Sequence, residues 1–149
     1  MLDKNRPYRR IEIDKEFAKA KRAMHTVALS RGKAKGFDQA YYQDIYTGKE
    51  LRGGDPYDYE HIRSSEEIHS RYKSVLTDDQ IALVVNCPEN VGVTLSFINK
   101  SKGKRKMEEW LSIPANIAVN GIDMKLTLAN LKKADEGMEN VVNKFLKIK

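Results

Sequence analysis

A carboxylate and an imidazole stand side by side at Glu60 and His61, in the segment DYEHI at residues 58–62. A carboxylate binds divalent cations, and an imidazole with a pKa of about 6.5 accepts a proton at neutral pH. Together they have the chemistry of a metal ligand beside a general base. Taken alone, a surface pair without a function is the simpler interpretation, so the assignment depends on what else the chain supplies.

Two asparagines and a cluster of basic residues follow this pair. Asn90 and Asn99 are nine positions apart, and basic residues begin directly after Asn99. Amide oxygens are suitable ligands for hard cations, and lysine and arginine bind phosphates. The candidate nucleic-acid contacts in this basic run are Lys100, Lys104, Arg105 and Lys106. Such a run is a solvated face in most proteins, but behind a candidate metal ligand it also fits phosphate contact.

These features follow the order strand, loop, strand, helix, and in that order they resemble the ββα-metal finger of the HNH endonucleases. The resemblance is closest to the HNH domain of the RNA-guided CRISPR nucleases, whose strand motif reads acidic residue, any residue, then Asp-His-Ile. Here the motif stands as Asp58-Tyr59-Glu60-His61-Ile62, and the turn YTGK at 46–49 is similar to the turn that opens those domains. The resemblance covers residues 37–111 and implies an α+β fold with a small antiparallel hairpin.

The resemblance also implies a role for each residue of the motif. His61 is the general base that deprotonates the attacking water, while Glu60 and Asn99 bind one Mg²⁺ or Mn²⁺ ion through oxygen atoms. Asn90 supports catalysis by bracing the loop that presents the histidine. Lys102 lies three residues after Asn99, hence on the same helical face, where its ammonium would meet the scissile phosphate.

Two departures from the family pattern and one geometric conflict concern this motif. Glu60 stands where the family usually has aspartate, so its carboxylate lies further from the backbone, and RSS follows His61-Ile62 where a proline often stands. Strict alternation along a strand would place Glu60 and His61 on opposite faces and Asp58 on the face of Glu60. Asp58 is therefore a reserve metal ligand, and Glu60 and His61 share a site only where the strand bends or ends.

Composition and charge limit the class of protein. The chain has 149 residues, 40% of them hydrophobic, which is enough for one domain with a core. Residues 1–36 carry a net charge of +7, residues 37–99 of −6 and residues 100–149 of +5. An acidic centre between basic flanks suits a metal site that acts on a polyanion. The single cysteine, Cys87, excludes an internal disulfide and a cysteine-based zinc site, so no structural zinc is expected.

Hydrophobic periodicity and turn residues predict the elements that position these groups. Near the N-terminus they predict a helix over 15–31 with Asp14 as N-cap, a short helix over 37–43, and a hairpin over 45–51. Further along they predict a strand at 57–62 and helices at 66–74 and 79–85 capped by Ser65 and Asp78. After a strand at 91–93 they predict a helix capped by Thr94 and ended by Gly103, a helix at 105–112 with Pro114 as an interruption, and a last helix at 122–147. The expected organisation is a single HNH domain over 1–149, with a basic helical arm at 1–36, the ββα-metal core at 37–113 and a C-terminal helix at 114–149.

The expected function is hydrolysis of phosphodiester bonds in DNA with low sequence preference. An RNase with the same site and a nucleic-acid-binding module without catalysis remain alternatives. An inhibitor protein or a larger parent assembly is a further candidate partner, and a phage, a defence system and a secreted toxin are all compatible settings. No membrane partner is expected, because no apolar run approaches the roughly 18–20 residues that span a bilayer. The first ten residues lack the apolar core of a secretory signal, so the expected site of action is the cytoplasm, with export as part of an effector left open.

Overall fold

A computed structural model describes residues 2–147 of the chain. In chain order its elements are α1 (Ile11–Ala34), β1 (Tyr41–Gln43), β2 (Glu50–Arg52), β3 (Tyr57–His61), α2 (Ser65–Tyr72), α3 (Asp78–Val85), a 3₁₀ turn (Pro88–Asn90), β4 (Val91–Leu95), α4 (Ser96–Lys102), α5 (Met107–Leu111), α6 (Pro114–Asn120) and α7 (Met124–Leu146). The α+β class predicted from the sequence is therefore confirmed. The described part of the chain has no helix long and apolar enough to cross a membrane.

The strands form two antiparallel sheets of two strands each. In the first, β1 pairs with β2. In the second, β3 pairs with β4 so that Glu60 lies opposite Gly92 and His61 opposite Val91. The connection between β3 and β4 holds α2, α3 and the 3₁₀ turn, and α4 follows β4 without a loop.

The turn between β1 and β2 joins the two sheets. Ile45 donates a backbone hydrogen bond to the carbonyl of Val93 on β4, with an N···O distance of 3.1 Å. The buried Asp44 carboxylate accepts hydrogen bonds from the Thr94 hydroxyl and the Leu95 amide. A Cβ atom at Gly92 would lie 2.6 Å from Ile45 Cδ1, so a residue without a side chain is needed where the turn crosses β4.

Three buried clusters tie the terminal helices to the centre of the chain. Ile13 of α1 shares a cluster with Ile81 of α3 and with Met138 of α7, so both long helices pack against α3. A second cluster is built around Trp110 and includes residues of α4, α5 and α7. The third places Ala28 of α1 against β1, β2 and β4. The predicted N-terminal arm is thus packed against the predicted core along its length.

Several predicted boundaries are corrected by the fold. The short helix predicted over 37–43 is wrong, because Tyr41–Gln43 is a strand that pairs with Glu50–Arg52. Helix α1 begins at Ile11 after Arg10, so Asp14 lies inside the helix instead of capping it. Pro114 does not interrupt a helix but begins α6, where its missing N–H is tolerated. Residues 1, 148 and 149, at the ends of the predicted arm and C-terminal segment, lie outside the described residues.

The predicted caps are displaced by one residue or more. The Ser64 hydroxyl, not that of Ser65, accepts from the Glu67 amide, and Thr77, not Asp78, forms a capping box with Gln80. The residue before α4 is Leu95, and Thr94 bonds instead to Asp44. Adjacent polar residues suit an N-cap equally well, so composition alone could not distinguish them.

Candidate functional site

Five of the predicted site residues line one cleft of about 270 Å³. They are Glu60, His61, Asn99, Lys102 and Lys104, and the N-terminal arm adds Arg10 and Phe17 to the wall. Glu60 and His61 end strand β3, while Asn99 and Lys102 lie on α4. The fold therefore brings together side chains that are distant along the sequence.

The free edge of β3 explains how two adjacent residues reach the same cleft. Side chains alternate as expected, since Glu60 contacts α4 while His61 contacts Phe17 of α1. Within residues 2–147, β3 pairs only with β4, which leaves its other edge without a neighbouring strand. Because residues from both faces of β3 line the cleft, the cleft follows this free edge. The strand also ends at this point, since His61 is the last residue of β3, which is one of the two conditions stated for a shared site.

Glu60 and Lys102 form a buried ion pair at the cleft. Lys102 Nζ lies 3.1 Å from Glu60 Oε2 and 3.2 Å from the carbonyl oxygen of His61. Lys102 is 2% exposed and Glu60 is 5% exposed. Burial raises the pKa of the Glu60 carboxyl, and the ammonium of Lys102 opposes that rise. The ammonium predicted to meet a phosphate is thus bound to the predicted metal ligand.

The second oxygen of Glu60 remains unused. In the described part of the chain, neither Glu60 Oε1 nor the nearby Tyr46 Oη has a hydrogen-bond partner, although both atoms are buried. The Tyr46 hydroxyl is close enough to influence the pKa of Glu60, but not in ordinary hydrogen-bond geometry with it. A buried carboxylate oxygen without a donor carries a desolvation penalty, which a bound cation would remove.

Asp58 orients the other predicted metal ligand. Asn99 Nδ2 donates to Asp58 Oδ2 over 3.0 Å, and the Ser96 hydroxyl donates to Asp58 Oδ1 over 2.9 Å. Both Asp58 oxygens are therefore engaged by α4. This arrangement turns Asn99 Oδ1 away from Asp58 and fixes the amide. The geometry gives Asp58 a supporting position behind Asn99, not the position of a reserve ligand in the cleft.

The hydrogen bonds of Asn86 define the protonation of His61. Asn86 Nδ2 donates to the carbonyl oxygens of Ile13 and Ala82, over 3.1 Å and 2.9 Å. Its Oδ1 therefore faces His61 Nε2 at 2.7 Å and can only accept. The neutral imidazole then carries its proton on Nε2 and keeps its lone pair on Nδ1.

The environment of His61 keeps the imidazole neutral at pH 7. Burial lowers the pKa of His61 to about 4, and the positive charges of Arg10 and Lys102 act in the same direction. The hydrogen bond to Asn86 and the carboxylate of Asp14 oppose this. The Phe17 ring packs against the imidazole with centroids 4.2 Å apart and supplies part of the apolar contact. His61 is thus a neutral base at physiological pH.

Asn90 braces the segment that follows His61. Its Oδ1 accepts from the Arg63 amide over 2.8 Å, and its Nδ2 donates to the carbonyl oxygens of Arg63 and Val85. Its backbone carbonyl accepts from the Ile62 amide. These contacts involve Ile62, Arg63 and Val85 but not His61, and Asn90 does not line the cleft. The position agrees with the bracing role that the family resemblance implies.

The basic run after Asn99 is exposed except at Lys102. Lys100, Lys104, Arg105 and Lys106 are all exposed. Lys104 lines the cleft and makes a weak surface pair with Glu66, at 3.4 Å. Exposed lysine and arginine side chains at the rim of a cleft are free to bind phosphates.

The cleft contains oxygen donors of the types that bind a hard divalent ion. No group of three or more His, Cys, Asp or Glu side chains in residues 2–147 is placed to hold a metal. The expected site needs fewer, because Mg²⁺ is commonly bound by one or two protein oxygens and several waters. Glu60 Oε1 and Asn99 Oδ1 are oxygen donors of that type, and the first is buried without a partner. The Lys102 ammonium contacts the other carboxylate oxygen of the same residue, Glu60 Oε2.

Sequence reasoning did not identify Asn86, Arg10 or Phe17 as parts of the site. Asn86 follows α3 as its C-cap, a position where asparagine is common for backbone reasons. Phe17 is an apolar residue within α1, where such residues ordinarily pack into a core. Their approach to His61 depends on how α1 and α3 pack against β3, which local sequence patterns do not encode.

Comparisons of this chain with known protein families, with curated proteins and with solved structures found no match.

Proposed function

We propose that this chain is a metal-dependent endonuclease of the HNH class that hydrolyses phosphodiester bonds in DNA. The observation that carries the proposal is the shared cleft, which an imidazole from β3 lines together with oxygen-bearing side chains from β3 and α4. The order of β3, β4 and α4 supports the finer assignment of these elements as a ββα-metal finger. The proposed substrate is DNA with little sequence preference, and the proposed site of action is the cytoplasm.

In this mechanism His61 accepts a proton from the attacking water at Nδ1, while Asn86 holds Nε2–H and fixes the ring. Glu60 and Asn99 would hold Mg²⁺ or Mn²⁺ through oxygen atoms. When bound, such an ion supplies positive charge beside the phosphate and the leaving oxygen. Arg10 and Lys104 stand at the same cleft and attract the flanking phosphates.

The low pKa of His61 has two consequences for catalysis. The imidazole is in its basic form at every pH well above about 4, so protonation of His61 does not limit the rate at neutral pH. A base with a lower pKa also withdraws a proton less strongly. Water activation therefore depends on orientation of the imidazole as well as on its basicity.

The test is conversion of supercoiled plasmid to the nicked form, with Mg²⁺, with Mn²⁺ and with EDTA. We expect nicking only with metal, and a loss of about 100-fold or more in His61→Ala. His25→Ala is the matched control, because His25 is exposed on α1 and does not line the cleft. Full activity in His61→Ala, or no product with either metal, would contradict the proposal. Offering RNA in the same assay tests the RNase alternative.

A second candidate, a nucleic-acid-binding module without catalysis, is favoured by the Lys102–Glu60 ion pair. The ammonium supplies positive charge to the Glu60 carboxylate, so the site does not need a metal ion to neutralise it. Such a module would retain DNA affinity in EDTA and in His61→Ala, and it would yield no nicked plasmid under any metal condition.

A further inference from the structure

The ion pair of Lys102 and Glu60 is buried although it borders a cleft. Both side chains are almost completely removed from solvent, yet both line the cleft. Removing two charges from water is costly, and the attraction within a buried pair offsets that cost only when the hydrogen bonds of both groups are complete. Here they are incomplete, because the nearby Tyr46 hydroxyl stabilises the charged Glu60 carboxylate, yet neither Glu60 Oε1 nor Tyr46 Oη makes a hydrogen bond of ordinary geometry in the described chain. The ammonium therefore neutralises the carboxylate without using all of its binding capacity.

Lys102 is also placed where it can leave the pair. It is the last residue of α4, and Gly103 follows with φ of 55°, so the helix ends at the lysine itself. Its second acceptor is the backbone carbonyl of His61, on the floor of the same cleft. A long flexible side chain at a helix end can turn toward solvent without moving the backbone. Gly103 and Lys104, which follow Lys102 along the chain, also line the cleft.

We infer that Lys102 is a built-in cation that competes with a divalent metal ion for Glu60, so that metal binding releases its ammonium into the cleft. The inference rests on the proposed function, since it concerns the same metal ligand. It goes beyond that function by making the strength of metal binding depend on an internal charge. It also connects two roles of Lys102, because the released ammonium stays in the cleft, where a phosphate would lie.

The experiment is calorimetric titration of Mn²⁺ into the protein without nucleic acid. We expect Lys102→Met to bind Mn²⁺ about tenfold tighter or more, because the repulsion and competition of one adjacent positive charge are lost. Lys104→Met is the matched control. This variant removes the same charge from the same cleft, but the exposed ammonium of Lys104 contacts Glu66 and not Glu60. The Mn²⁺ affinity of Lys104→Met should therefore change by about twofold at most.

Two further variants keep the result decisive. If Lys102→Met folds poorly because Glu60 is left without a partner, Lys102→Gln removes the charge and keeps a hydrogen-bond donor. The double variant Glu60→Gln with Lys102→Met should fold but lose the gain in affinity, which shows that the gain acts through Glu60. Mn²⁺ should also raise the melting temperature of Lys102→Met more than that of the unsubstituted protein.

The inference would be overturned if Lys102→Met and Lys102→Gln both bound Mn²⁺ no more tightly than the unsubstituted protein. If the unsubstituted protein still nicks plasmid with Mn²⁺ in that case, the proposed function stands and only the competing role of Lys102 fails. If no form of the protein binds Mn²⁺, both the inference and the metal-dependent mechanism fail.

Discussion

At the scale of single residues, Asn86 determines which nitrogen of His61 is available as a base. Its amide group donates to two backbone carbonyls, so its oxygen must accept from His61 Nε2. We expect Asn86→Leu to lower the plasmid nicking rate by about tenfold or more, because the imidazole is then free to rotate or change tautomer. Asn86→Asp keeps an acceptor toward Nε2 and should retain more activity.

Both Asn86 variants lose buried hydrogen bonds, so rates are compared per folded protein after circular dichroism. NMR of the imidazole nitrogens in the unsubstituted protein should find the proton on Nε2 at neutral pH. A proton on Nδ1, or an undiminished rate in Asn86→Leu, would exclude this orienting role.

The burial of His61 also predicts how stability depends on pH. Its pKa is about 4 in the folded chain, against an ordinary value of 6.5 when unfolded. Between these values the unfolded chain binds more protons, so stability is complete above about pH 6.5 and falls as the pH drops toward about 4. The loss from this residue should reach up to about 3 kcal/mol, and His61→Asn should abolish it.

Urea unfolding of both proteins across this pH range measures the difference. His69, whose pKa is also lowered by burial, is present in both proteins, so its contribution cancels. Parallel stability curves for the two proteins would show that His61 is not protected from protonation by the fold.

At the scale of elements, Arg63 connects the segment after β3 to two helices. Its buried guanidinium binds Glu108 of α5, with N···O distances of 2.5 Å and 2.8 Å, and Asp135 of α7, with distances of 2.9 Å and 3.0 Å. These bonds raise the pKa of Arg63 and lower that of Glu108 to about 2. Since Asn90 braces the backbone of the same residue, Arg63 fixes the loop that follows His61.

We expect Asp135→Asn to lower the free energy of unfolding by about 1–3 kcal/mol, because it weakens charge-assisted hydrogen bonds to a buried cation. The control is Glu136→Gln, which removes a neighbouring charge from an exposed pair with Lys132 at 4.0 Å and should change stability by about 0.5 kcal/mol or less. Urea denaturation at neutral pH measures both. Equal effects of the two substitutions would mean that the Arg63 contacts add no more than a surface pair.

The elements differ in how far their sequence determined them. Strand β3 and helix α7 carry strong local patterns and were predicted within about two residues. The segment 37–43 was predicted as a helix because its local composition gives no sign of its partner, and its strand exists only through pairing with Glu50–Arg52. For the site, the spacing predicted that Glu60, His61 and Asn99 share one location, and all three line the same cleft, while their roles stay predictions. The bonds of Lys102 to Glu60 and of Asn86 to His61 are contacts through space, so no sequence pattern predicted them.

At the scale of the whole molecule, basic groups flank the cleft on both sides. Arg10 lines one wall of the cleft and Lys21 lies over the Phe17 ring of the same wall, while the basic run lies beyond α4. The cleft itself holds the buried Glu60, already neutralised by Lys102. A polyanion would therefore meet positive charge at the rims and little net charge at the centre, an arrangement that favours binding through the phosphate backbone.

This arrangement predicts a salt-dependent affinity for DNA that the basic run controls. Each phosphate contact contributes about 0.9 to the slope of log affinity against log salt concentration. A triple alanine variant of Lys104, Arg105 and Lys106 should therefore reduce the slope by about 2–3. The control is a triple alanine variant of Lys125, Lys132 and Lys133 on α7, which removes the same charge from exposed positions outside the cleft. Fluorescence anisotropy of a labelled duplex in EDTA measures binding without cleavage. If both triple variants shift the slope equally, net charge alone attracts DNA, and the basic run is not the surface that positions a phosphate beside His61.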